Sequence, residues 1–224
     1  MYRYETHLHT YPVSACASNT PAEMVRAYKA MGYTGFIITE HFLNGNTSCP
    51  PHLPWEKKID YFLESYRQAR AEAAQHDFDV FLGWEYGIQG TEFLTYGLTE
   101  SFLYNNPNVH TLSLEEYAPL VRKNNGYLAQ AHPYRTAPWV RNPFPVAPHL
   151  IDGIEAFNAG QPPDANQKAL DFALLHHLPI QAGTDAHSAA PHIPSGILLQ
   201  KRPATIHALI IALKEKQVEL ILPK

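Results

Sequence analysis

Two histidines one residue apart stand near the start of the chain, in Glu5-Thr6-His7-Leu8-His9-Thr10. Side chains alternate along a β-strand, so His7 and His9 point to one face. Two imidazoles on one face at a strand end can hold a metal ion. His41, Glu85, His132, Asp185 and His187 follow in order, each after a short apolar run. Imidazoles mixed with carboxylates suit Zn²⁺, Mn²⁺ or Fe²⁺ better than Ca²⁺, which prefers oxygen alone. Seven such groups exceed what one tetrahedral ion takes. They point to at least two ions with a carboxylate such as Glu85 bridging them. Each motif has an ordinary reading when taken singly. His-x-His can be an exposed strand pair, Glu85 a helix cap or ion-pair partner, and Gly183-Thr184-Asp185-Ala186-His187 a loop with an Asx turn. Recurrence in order at five strand ends is what favours a metal site.

The elements that must position these groups alternate between short apolar runs and helical stretches. Strands are expected over 2–9, 35–39, 80–84, 127–131, 153–157 and 179–183, with a weaker one over 92–98 and a short last one over 219–222. Thr20, Pro21 and Glu23 form a helix start with a capping box, and Gly32 ends that helix. Further helices are expected over 55–76, from the Ser113–Glu116 capping box to about 124, over 164–177 with Asp164 as cap, and over 205–217. The alternation favours an α/β fold with largely parallel strands. The length fits one barrel-type domain over residues 1–224, and in such barrels the C-terminal strand ends carry the active site.

Composition narrows the partners. Net charge is −4 without the 13 histidines, and no basic block stands out, which argues against long nucleic acid. Cys16 and Cys49 make no disulfide framework and fit a reducing cytoplasm. No apolar run approaches the ~20 residues of a membrane span, and the first residues lack a signal-peptide core.

The same residues carry a family likeness. His7-Leu8-His9-Thr10, Ile38-Thr39-Glu40-His41, Gly83-Trp84-Glu85, Ala131-His132-Pro133 and Gly183-Thr184-Asp185-Ala186-His187 resemble, in order, the motifs of the PHP (polymerase and histidinol phosphatase) superfamily. The resemblance implies a distorted (β/α)7 TIM-like barrel with two or three divalent ions (Zn, Mn or Fe) at the strand C-termini. It also implies hydrolysis of phosphoesters. By that likeness His7, His9, Glu85 and Asp185 hold one ion, Glu85 bridges to a second held also by His132, and His41 and His187 hold a third. Two positions depart from the family pattern. Where an Asp or His usually follows the first motif, the only ligand-type side chain is Cys16. Where a His precedes the apolar run after the Glu motif, the chain has Glu92. Cys16 either completes a soft site as thiolate or is a small buried hydrophobe. Glu40, where Asp is common, concerns orientation of the ligands.

The implied reaction is attack on a small phosphorylated metabolite by a metal-bridging hydroxide, since coordination lowers the pKa of water towards ~7. Asp185 or His187 would manage the leaving-group proton. Arg135, three residues past His132, is the candidate phosphate contact; Arg141 and His192 are more readily surface residues. Long loops over 42–54 and 135–148 frame a pocket, with Trp55, Trp139 and Phe144 as candidates for an apolar wall, Trp55 being the one packing alone best explains. Two rivals stand beside this reading. An amidohydrolase cleaving C–N bonds also uses His-x-His and a late Asp, but commonly adds a bridging lysine that no strand end here supplies. A non-catalytic metal-binding barrel is the other, and the Cys16 departure is its main support.

Overall fold

The computed structural model describes residues 1–190 and 193–223. Nine strands form one sheet in the order β7-β6-β5-β4-β3-β2-β1-β8-β9. The strands are β1 (Tyr2–Glu5), β2 (Gly35–Ile38), β3 (Asp79–Ile88), β4 (Thr91–Tyr96), β5 (Tyr127–Gln130), β6 (Gly153–Asn158), β7 (Ile180–Gly183), β8 (Gly196–Leu199) and β9 (Glu219–Ile221). The helices are α1 (Pro21–Ala30), α2 (Trp55–Ala73), α3 (Glu100–Asn105), α4 (Leu114–Lys123), α5 (Pro163–Leu175) and α6 (Ile206–Lys214).

β1, β2 and β3 run parallel, as do β5, β6 and β7. β4 lies antiparallel between β3 and β5, joined to β3 by a hairpin. The ring closes just past the strand ends. Asp185 N donates to His7 O at 2.9 Å and His9 N to Ala186 O at 2.8 Å, so the segment after β7 pairs with the segment after β1. At the other end β8 runs antiparallel beside β1, with β9 outside it. The result is the expected distorted α/β barrel of seven strands, one of them reversed, and its parallel C-terminal ends share one rim.

Local chemistry explains most elements. Thr20 and Glu23 form the capping box of α1, and Ser113 and Glu116 that of α4. Asp164 does not cap α5. Pro162 holds that position without a side-chain bond, and the Asp164 carboxylate accepts from Lys168 Nζ at 2.9 Å instead. β3 also outruns its expected end. The hairpin carries it three residues past Glu85, so this carboxylate projects from within a strand. Alternation along β3 sends Trp84 and Tyr86 into the helix-covered core while Glu85 faces the other way. A second core closes the far end of the barrel, where Leu209, Ile210 and Leu213 of α6 meet Tyr96 and Tyr127. Tyr96 spans the interior, donating to Thr6 O at 2.7 Å and accepting from Gln181 Nε2 at 2.7 Å. No helix among the described residues is long and apolar enough to cross a membrane.

Candidate metal centre

The rim gathers His7, His9, His41, Glu85, Glu92, His132, Asp185 and His187 into one cluster, with Cys16 at its edge. Four overlapping sets have donor atoms within 4.8 Å of one another: His7/Glu85/His132, His7/His9/Asp185, His41/Glu85/Glu92 and His9/His41/His187. Glu85 is the hub. Its Oε1 lies 3.2 Å from His7 Nε2 and 3.1 Å from His132 Nε2, and its Oε2 lies 2.7 Å from His41 Nδ1. Asp185 Oδ1 lies 3.2 Å from His9 Nε2 and 3.4 Å from His7 Nε2. Glu92 Oε2 lies 3.5 Å from His132 Nε2, on the strand facing β3.

A second layer fixes the rings. Glu155 Oε1 accepts from His7 Nδ1 at 2.9 Å, which turns Nε2 towards Glu85 and Asp185. Glu155 Oε2 accepts from His132 N and Asn158 Nδ2. Ser14 Oγ takes His9 Nδ1 at 3.2 Å and His41 N at 3.0 Å, and donates to Glu40 in a short bond. His187 Nδ1 donates to Asp185 O at 2.8 Å. Glu5 Oε1 accepts from the backbone N–H of Thr6, His7 and Thr184, tying β1 to the Asp185 turn. Two of the cluster residues have positive φ, His132 at 23° and Asp185 at 55°. Non-glycine residues adopt such values at a cost that the surrounding bonds must hold.

Charge is concentrated here in largely buried groups. Burial opposes ionisation of Glu85, yet the positive charge at His7 and His41 keeps its carboxyl well below the usual range. Asp185 is held low in the same way by His7, against burial. Burial and then the Glu85 charge push Glu92 up to about 7. Burial lowers His41, but Glu85 outweighs it and brings the ring up to about 11. His9, buried and beside His41, goes well below its ordinary value. Burial raises the Cys16 thiol, but bonds from His187 and His41 bring it down to about 6.

The donor set fits divalent ions. His41 Nδ1 and Glu85 Oε2 are buried and make no hydrogen bond, although 2.7 Å apart. Buried polar atoms normally have partners. A buried imidazole nitrogen and a carboxylate oxygen this close, with no aligned hydrogen bond between them, face a point where a bound cation would replace the ring proton, and cationic rings balance the carboxylates where ions would.

A cavity of about 550 Å³ opens beside the cluster, walled by Cys16, His41, His187, Glu92, Arg135 and Trp139. Arg135 Nη1 reaches Glu92 Oε2 at 3.3 Å and stands 3.8 Å from Asp185 Oδ2, with its guanidinium over the Trp139 ring. A hollow of about 630 Å³ by Arg202 and Lys216 lies away from all of these groups. Trp55 and Phe144 do not line the site. Trp55 donates to Leu103 O and stacks on His110, and Phe144 is exposed against Tyr134. Arg141 is exposed, and His192 lies outside the described residues. Glu155 and Glu5 were missed by sequence reasoning. The one signal for Glu155 is a lone carboxylate within the largely apolar β6, and Glu5, at the end of β1 two residues after Arg3, has none.

No protein-family model matches the chain, and no curated protein matches its sequence. Solved structures do. A two-domain protein from Bacteroides vulgatus containing a predicted PHP-like metal-dependent phosphoesterase superposes with a TM-score of 0.73 at 16% identity, over 99% of this chain and 65% of that one. The chain thus spans about two thirds of that protein. PsfC from Pseudomonas syringae matches with a TM-score of 0.71 at 15% identity, over 99% of this chain and 92% of that one. An amidohydrolase from Chromobacterium violaceum, solved with sulfate and no metal, matches with a TM-score of 0.58 at 13% identity, over 99% and 98%. These likenesses establish the fold, and at that level the PHP resemblance drawn from the motifs is borne out.

Proposed function

We propose that the chain is a PHP-type metal-dependent phosphoesterase acting on a small phosphorylated metabolite, with two or three Zn, Mn or Fe ions. The observation that carries this reading is the convergence of His7, His41 and His132 on the single carboxylate of Glu85. That arrangement suits a bridging ligand between two ions. Bound ions would supply water activation and charge neutralisation at the phosphoryl group.

The chain's own residues divide the remaining work. His7, His9, Glu85 and Asp185 form one donor set. Glu85, His132, Glu92 and His41 form the next, and His41 and His187 reach towards Cys16. Arg135 is the cation facing the cavity beyond the cluster, placed to bind a phosphate oxygen and to hold it in line. His187, partly exposed at the cavity wall, or Asp185 is positioned to pass a proton to the leaving oxygen. The cavity volume suits a small metabolite.

The Chromobacterium neighbour keeps an amidohydrolase reading in view. Against it, no lysine walls the cavity among the described residues, and Glu85 holds the central place. The test is turnover of small phosphorylated metabolites beside a matched amide panel, with Mn²⁺, Zn²⁺ and Fe²⁺ supplied in turn. Release of phosphate is expected. Cleavage of amides alone replaces this reading with its rival, and turnover of neither, with less than one bound equivalent of metal, returns the barrel to a scaffold. His9→Ala and Asp185→Asn are each expected to abolish turnover and lower metal content while the fold persists. Asn tolerates the positive φ at position 185, so that variant isolates the carboxylate.

A further inference from the structure

We propose that Asn158, aimed inward by a bulge in β6 and clamped by Asn166 of α5, is a positioning residue of the metal centre: its amide holds the Glu155 carboxylate in the orientation that serves His7 and His132 together. Glu155 and Asn158 lie three positions apart, and along an unbroken strand they would face opposite ways. The register with β7 slips between them, where Glu155 pairs with Gln181 but Phe157 with Ala182. Ala156 is the extra residue, and it brings Asn158 round to the face of Glu155. Asn158 Nδ2 then donates to Glu155 Oε2 at 2.9 Å, with both residues fully buried.

The amide is held against turning over. Its Oδ1 accepts from Gly160 N at 2.8 Å in an Asx turn, so Nδ2 is the end presented to the carboxylate. The backbone of Asn158 is pinned as well. Asn166 Oδ1 accepts from Asn158 N and Asn166 Nδ2 donates to Asn158 O, both at 3.0 Å, as a neighbouring strand would. Asn158 Nδ2 and His132 N together occupy Glu155 Oε2, which directs Oε1 to His7 Nδ1. Without the amide, a buried carboxylate loses one of its three donors and is free to swing away from both histidines. Partners behind a ligand set its orientation and thereby the affinity for metal. Asn158 stands one step further out, and it links α5 to two separate ligand positions through a single carboxylate.

The inference rests on the metal centre of the phosphoesterase reading, but its readout is affinity and not turnover. The full chain, stripped with chelator, is titrated with Zn²⁺ against a competing chelator. Asn158→Ala should weaken binding by roughly 10-fold. Asn158→Ser keeps a hydroxyl that can donate to the carboxylate, so it should recover part of that loss. In a Glu155→Ala background there is no carboxylate left to hold, and Asn158→Ala should then cost little more. A role confined to packing or to the turn would instead give losses that add. Nuclear magnetic resonance of the unaltered chain supplies a measurement that needs no variant to fold. The Asn158 side-chain N–H should exchange slowly with solvent and should shift when Zn²⁺ binds. Unchanged affinity in Asn158→Ala, additive losses with Glu155→Ala, or an Asn158 amide indifferent to Zn²⁺ overturns the proposal. Phosphoester turnover with affinity indifferent to Asn158 would sink this role alone, and Asn158-dependent Zn²⁺ binding without turnover would sink the phosphoesterase reading alone.

Discussion

Glu155 Oε1 meets His7 Nδ1 at 2.9 Å across 148 residues of sequence, and both side chains are fully buried. The contact holds the Nδ1 proton of His7 and aims Nε2 at Glu85 and Asp185. Outer partners of this kind typically contribute 10–100-fold to metal affinity. Glu155→Gln keeps the size but removes the charge and one acceptor. It should therefore weaken metal binding by roughly 10–100-fold in a competitive chelator titration. Unchanged affinity would mean that His7 is oriented by packing alone.

Gly183 stands where nothing larger fits. A Cβ there would sit 2.6 Å from His7 Cβ and 2.7 Å from Glu155 Oε1. Neither neighbour can yield, because each is held by the other and by the strand behind it. Gly183→Ala should cost about 1–3 kcal/mol in urea unfolding and lower metal content as well. A variant with full stability would show that the β1–β7 closure is looser than its hydrogen bonds indicate.

Most of the ligand residues were legible because they close an apolar run, a pattern that survives in one dimension, whereas Glu92 stands ahead of one. Glu155 was not. Its partner is brought close by the barrel ring and not by any spacing in the chain. Glu5 was hidden differently, as a carboxylate that bonds backbone N–H groups and the Tyr28 hydroxyl, 23 residues away, rather than a charged partner. The reversal of β4 was also invisible, since an alternating run reads the same in either direction. Only the short Gln89-Gly90 turn reports it, through Gly90 at φ 84° against the Trp139 backbone. β8 escaped because four residues after Pro194 give too short a run to count. Trp55 and Phe144 show the converse limit. Aromatic residues in or just beyond loops near a site are as often packing as lining, and sequence offers no means of telling them apart.

Glu5 supplies a pH signature of the fold. Burial pushes its carboxyl up to about 7, against the bonds from His7 and Thr184. Below the ordinary carboxylate value both folded and unfolded chains hold the proton. As pH rises towards 7 the unfolded chain releases it and the folded chain does not, so stability is lost over that interval. Glu5→Gln cannot titrate. In the metal-free protein this variant should gain on wild type as pH rises from about 5 to 7, with a relative shift on the order of 3 kcal/mol. Urea unfolding at several pH values measures it. A difference independent of pH would show that Glu5 stays ionised in its backbone cradle.

Arg135 should separate binding from chemistry. Its guanidinium touches Glu92 and lies over Trp139, so it faces the cavity without belonging to any donor set. A charged hydrogen bond to a phosphate oxygen contributes about 1.5–3 kcal/mol. Arg135→Ala should thus raise KM for a phosphoester, and the inhibition constant of inorganic phosphate, by roughly 10–100-fold with metal content unchanged. Arg135→Lys keeps the charge and loses the two-pronged geometry, so it should recover only part of the loss. Trp139→Ala should have a smaller effect, within the roughly 0.5–2 kcal/mol of a cation–π contact. If Arg135→Ala lowers metal content instead, the guanidinium is structural, bracing Glu92 against Glu85. If neither KM nor metal content moves, the phosphate is held by the ions alone.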